Sequence, residues 1–105
     1  MGELTVISWR DIPAQVVARE GRLTARAQLP ERFQEAIDEA ALRAGLFGSD
    51  EYLGEWHRDT RPCGEDLQSE VDEEAARVVA AYPQEHLERL ARAGGLQDGG
   101  EADAP

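Results

Sequence analysis

His57, Asp59 and Cys63 fall within seven residues and form the one grouping in this 105-residue sequence that suggests covalent chemistry. A thiolate attacks, an imidazole takes its proton, and a carboxylate orients the imidazole. A helical pattern begins just after Cys63, where amide N–H groups stabilise a thiolate. Glu65 and Asp66 occupy the same helix start and oppose a second negative charge. The plainer reading of Cys63 is a thiol with packing duties, and a small thiol-dependent or metal-assisted enzyme centred on Cys63 and His57 is held as the alternative.

Metal binding would need His57, Cys63, His86 and Glu85 to converge, and their spacing matches no established ligand pattern. Glu70, Asp72, Glu73 and Glu74 crowd one stretch without the alternating loop that wraps calcium. Gly94-Gly95 and Gly99-Gly100 precede no helix that would present amides to a phosphate. No cofactor and no metal is expected. One cysteine also rules out an internal disulfide, so stability has to come from packing.

The arginines form a second grouping, for recognition rather than catalysis. Residues 14–28 read as a β-hairpin turning at Glu20-Gly21, with Arg19 opposite Arg22, Ala18 opposite Leu23, Val16 opposite Ala25 and Ala14 opposite Ala27. Alternation gives the other face Gln15, Val17, Arg19, Arg22, Thr24, Arg26 and Gln28. A planar guanidinium beside apolar surface suits a protein interface because it pairs carboxylates bidentately. Arg10, Arg19, Arg22 and Arg26 are the expected docking residues for an acidic protein partner. Trp9 either joins that face as an anchor or points into the core.

Charge supports the same division. The chain holds 22 acidic residues against 11 arginines and no lysine, a formal −11 that repels nucleic acid and anionic lipid. Residues 1–29 hold four arginines against three acids, so the acid excess lies entirely beyond them. No apolar run approaches the ~20 residues of a membrane-spanning helix, and no leader pattern opens the chain, so a cytoplasmic protein is expected.

Residues 4–9 are β-branched and aromatic enough for a strand, which Asp11-Ile12-Pro13 ends before the hairpin. Residues 30–45 carry Phe33, Ile37, Ala40, Ala41 and Ala44 on one helical stripe, closed by Gly45. Ser49 caps a short helix through Trp56, and residues 57–64 read as a loop around Pro62 and Gly64. Leu67, Val71, Ala75, Val78, Val79 and Tyr82 then trace a long helix, and Pro83 opens a last one with Leu87, Leu90 and Ala91 inside. The expected architecture is α+β: a three-stranded antiparallel sheet with one face covered by about four helices, the alanine-rich first helix lying on the hairpin. Residues 1–95 make one domain and residues 96–105 a disordered acidic tail.

Three stretches together resemble a known family: Val6-Ile7-Ser8-Trp9-Arg10-Asp11-Ile12-Pro13-Ala14-Gln15-Val16, then Leu29-Pro30-Glu31-Arg32-Phe33-Gln34-Glu35-Ala36-Ile37, then Arg61-Pro62-Cys63-Gly64. They are similar to the bacterial virulence factor domain, which also occurs at the end of conserved virulence factor C beside helical repeats and a segment related to iron–sulfur scaffold proteins. The resemblance covers roughly residues 3–95. It implies an interaction or accessory module, and it carries over no catalytic residue and no cofactor.

Overall fold

The β-branched start of the chain forms the centre of the fold. A computed structural model describes residues 1–96. Its elements are β1 (Gly2–Trp9), β2 (Ile12–Glu20), β3 (Leu23–Gln28), α1 (Glu31–Arg43), α2 (Asp50–Gly54), β4 (Trp56–Cys63), α3 (Leu67–Ala81) and α4 (Gln84–Arg92). All four strands join one antiparallel sheet in the order β3-β2-β1-β4. The α+β class is as expected, with four strands rather than three. The acidic tail expected from residue 96 onward lies, from Gln97, outside the described residues.

The fourth strand occupies the stretch read as a loop. β4 pairs with all of β1, from Gly2 opposite Cys63 to Trp9 opposite Trp56. It shows no apolar alternation because its residues from His57 to Pro62 are all exposed, as an edge strand with one poorly covered face allows. Pro62 is tolerated because a strand at the sheet edge can spare a ladder N–H, and charge plus proline also discourages edge-to-edge pairing. The preceding helix is correspondingly shorter: Ser49 caps α2 as expected, accepting from the Tyr52 N–H at 3.4 Å, but Trp56 already belongs to β4.

The hairpin turns one position later than expected. Glu20 pairs with Leu23, Ala18 with Ala25 and Val16 with Ala27, so Gly21 and Arg22 make the turn. Gly21 has φ +60°, and glycine at the first of two turn positions is the type II′ preference. The pairing therefore moves by two residues, an even number, and every strand side chain keeps its face. Leu23, expected under the helices, sits beside the tip and is 65% exposed.

The helices divide the core differently from the expectation that α1 covers the hairpin. That surface is covered by α3, whose Leu67, Val71 and Ala75 pack on Leu4, Val16, Ala18, Ala25 and Ala27. α1 packs chiefly on α4, and together they close the end of the sheet where β1 turns into β2. Phe33, Ile37, Ala40 and Ala41 of α1 meet Leu87, Leu90 and Ala91 of α4 around Trp9 and Ile12. Asp66 caps α3 by accepting from the Ser69 N–H at 3.3 Å. Among the described residues no helix is long and apolar enough to cross a membrane.

Gly95 joins the last helix to the sheet. Its N–H donates to Leu90 O at 2.7 Å, and its carbonyl accepts from the Asp11 N–H at 2.8 Å. Its φ is +90°, and a Cβ there would stand 2.9 Å from the Trp9 ring. Gly95→Ala is expected to destabilise the domain by at least about 2 kcal/mol, combining left-handed strain with overpacking against a buried indole. The denaturation midpoint measures it.

Candidate functional site

His57, Asp59 and Cys63 all lie on β4 at alternate positions, so they share one side of the strand. Six residues of extended chain nevertheless hold His57 and Cys63 about 20 Å apart, far beyond hydrogen-bond reach. His57 Nε2 donates instead to the Arg10 carbonyl oxygen. Cys63 ends the strand inside the core with Leu4, Val16, Ala18, Leu67 and Val71. Burial first, and the Glu70 carboxylate second, push its thiol pKa up, with Arg61 partly opposing them. Asp59 is exposed and makes no ion pair or hydrogen bond among the described residues.

The residues weighed as metal ligands do not assemble. His86 stacks on Tyr82 with ring centroids 4.9 Å apart, and its Nδ1 lies 3.2 Å from the Ala81 carbonyl. Among the described residues no three of the His, Cys, Asp and Glu side chains converge as a ligand set.

Trp9 and Arg10 belong to the core rather than to an exposed face. Strict alternation along β1 would send Trp9 outward with Thr5 and Ile7, but α1, α2 and α4 close over that end of the sheet and leave it 0% exposed. Its Nε1–H donates to Tyr52 O at 2.8 Å, and the Tyr52 ring stacks on it at 5.4 Å. It has no surface to offer a partner. Arg10 has a left-handed backbone at φ +53° and a side chain 15% exposed. The guanidinium donates from Nη1 to Gly94 O at 3.0 Å and lies over the Trp9 ring. Its buried Nε stands 3.2 Å from Glu55 Oε1, a charge contact without hydrogen-bond alignment. Arg10 is a structural clamp.

The open face keeps the other arginines. Glu3, Thr5, Ile7, Gln15, Val17 and Arg19 line a concavity of about 270 Å³, which Arg26 and Arg58 complete. Arg19 stands opposite Glu3, Arg26 opposite Val17 and Arg58 opposite Ile7. Val17 is only 5% exposed although no helix covers this concavity, so neighbouring strand side chains shield it. None of Arg19, Arg22, Arg26 and Arg58 makes an ion pair or side-chain hydrogen bond among the described residues. Arg22 sits in the turn at the hairpin tip. Arg58 escapes a reading of the sequence because its face follows only from the pairing of β4 with β1.

On the opposite face Arg61 and Arg77 converge on Glu74, at 3.0 and 2.6 Å from the same oxygen, Oε1. Burial alone would raise the Glu74 pKa, but hydrogen bonds from Arg77 and Arg61, and then their charges, outweigh it and hold the carboxyl below its ordinary range. A depressed folded-state pKa stabilises the fold above the unfolded carboxyl's value, and that stability is lost as pH falls through the folded value. Glu74→Gln is expected to flatten the acid limb of the stability profile below about pH 4.5. At neutral pH it costs about 1 kcal/mol, since both arginines are half exposed and screened. For Cys63, iodoacetamide alkylation followed against pH is expected to be slow at neutrality and to titrate above ~8.5.

The family model described as Virulence factor matches residues 7–91, which runs from the last part of β1 into α4. No curated protein matches the chain, and no solved structure does. The matched span is more than half of the chain and takes in Trp9, Arg10 and all four of Arg19, Arg22, Arg26 and Arg58, and with it the chain belongs to the virulence factor family.

Proposed function

We propose that the chain is a non-enzymatic interaction or accessory module that docks an acidic protein surface through its open sheet face. The observation that carries this reading is the set of unpaired guanidinium groups of Arg19, Arg26 and Arg58 around Val17 and Ile7. Three cations against the single Glu3 make a positive field on a chain of net charge −11. Such a patch attracts an acidic partner locally and repels other acidic surfaces elsewhere, which serves orientation and association rate. Arginine stems beside the aliphatic side chains of Val17 and Ile7 supply the packing that fully hydrated lysines would not. The free, buried Cys63 accords with a reducing compartment, so the bacterial cytoplasm is the proposed location.

Reversing these charges tests the proposal without touching the core. The triple variant R19E/R26E/R58E is expected to bind a fluorescent polyglutamate peptide about a hundredfold more weakly than the parent chain. The charge-matched control R43E/R89E/R92E keeps most of the binding. Fluorescence anisotropy at several salt concentrations measures both, and equal loss in the two variants would reduce the effect to net charge and remove the open face as the docking surface.

A further inference from the structure

The face of β1 opposite the arginines carries a cleft of about 480 Å³. It exists because α3 lies chiefly over β2 and β3 while the sheet continues two strands further, so the middle of β1 and of β4 is only partly roofed. Leu4, Val6 and Ser8 form its floor, and Val78, Ala81 and Tyr82 its helical wall. Asp59 and Arg61 rise from β4 on the other side. The size and the mostly apolar lining suit a small molecule held by a few polar groups.

Three polar groups here are left over by the fold. Ser8 is 7% exposed, faces the cleft, and its hydroxyl has no hydrogen-bond partner among the described residues. The Oγ is not sealed from solvent, and it is available to a ligand hydroxyl that enters the cleft. Asp59 brings an uncompensated carboxylate. Arg61 and Arg77 share the one Glu74 carboxylate, and each keeps guanidinium N–H groups, at Arg61 Nε and Arg77 Nη1, that bond nothing among the described residues.

Spacing narrows the ligand. Asp59 and Arg61 are alternate residues on one side of β4, about 7 Å apart along the strand. Adjoining negative and positive charges match an ammonium and a carboxylate borne on one carbon. The floor beside them asks for a flat or bulky apolar side chain. Ser8 is level with His57, while Asp59 and Arg61 are level with Val6 and Leu4. It therefore stands three residues, about 10 Å, from the midpoint of the two charges, the span from an α-carbon to a hydrogen bond made by a phenol.

We propose that this cleft binds a free aromatic α-amino acid bearing a phenol. Asp59 takes its ammonium, Arg61 and Arg77 its carboxylate, and Ser8 its hydroxyl. The site lies on the face opposite the docking surface and stands or falls independently of it.

Calorimetric titration of the full chain with L-tyrosine is expected to saturate. L-Phenylalanine binds about tenfold more weakly because Ser8 then stays unpaired, and Ser8→Ala removes that difference. Tyramine and 3-(4-hydroxyphenyl)propionate each lack one charge and bind at least about tenfold more weakly than tyrosine. Asp59→Asn weakens tyrosine and leaves the propionate unchanged; Asp59 is exposed, so thermal melting will show this variant folded. No saturable binding of tyrosine, equal binding of the four compounds, or unchanged tyrosine affinity in both variants overturns the proposal.

Discussion

Arg10 holds together three parts of the chain that are remote in sequence. Its backbone N–H donates to Glu55 O at 3.0 Å, and its carbonyl receives the His57 ring. Its guanidinium reaches Gly94 O at the end of α4 and lies over Trp9. The left-handed backbone needed for this costs a non-glycine residue about 1–2 kcal/mol. It persists because the surroundings over-determine it: the β1–β2 turn, the entry to β4 and the end of α4 each bond to the same residue. With those three points fixed, the Trp9 indole has one place to go, and α1 and α4 close around it.

The two faces of the sheet diverge from that anchor. α3 covers β2 and β3 with small and aliphatic residues, which lets a helix lie close to alanines at Ala18, Ala25 and Ala27. β1, paired on both edges, has one side half roofed and the other open. The cleft and the arginine-lined concavity are thus back to back across a single layer of backbone, one apolar with a mixed charged rim and the other distinctly cationic. Their difference follows from alternation along the same strands: Leu4, Val6 and Ser8 face the cleft while Glu3, Thr5 and Ile7 face the concavity.

Much of this was legible in the residues. The helical stripes from Phe33 and from Leu67 are strongly periodic, and both helices form; the alternation of Val16, Ala18, Ala25 and Ala27 assigned the hairpin's faces despite a turn displaced by one position. What was not legible came from tertiary context. β4 hides because an edge strand with polar side chains on both faces has no hydrophobic period, so Arg58 and the sharing of one strand by His57, Asp59 and Cys63 stay hidden with it. Arg10 read as one more surface arginine, since no local pattern announces that a cation is clamped between a carbonyl and an indole. Trp9 obeyed packing rather than alternation, because helices distant in sequence cover the end of its strand.

β4 also explains why the two faces depend on each other. Arg58 belongs to the concavity and Asp59 and Arg61 to the cleft, so one strand supplies charged side chains to both. A slip of β4 by one residue along β1 would exchange them, placing Asp59 among the arginines and Arg58 over the apolar floor. A strand with so little apolar pattern cannot fix its own register by burial along its length. It is fixed at its two ends instead, by the His57 contact to Arg10 at one and by Cys63 buried beneath α3 at the other. In this domain the thiol and the imidazole that first suggest chemistry are the pins that hold an exposed edge strand in place, and between them Arg58 and Asp59 are left free to meet other molecules.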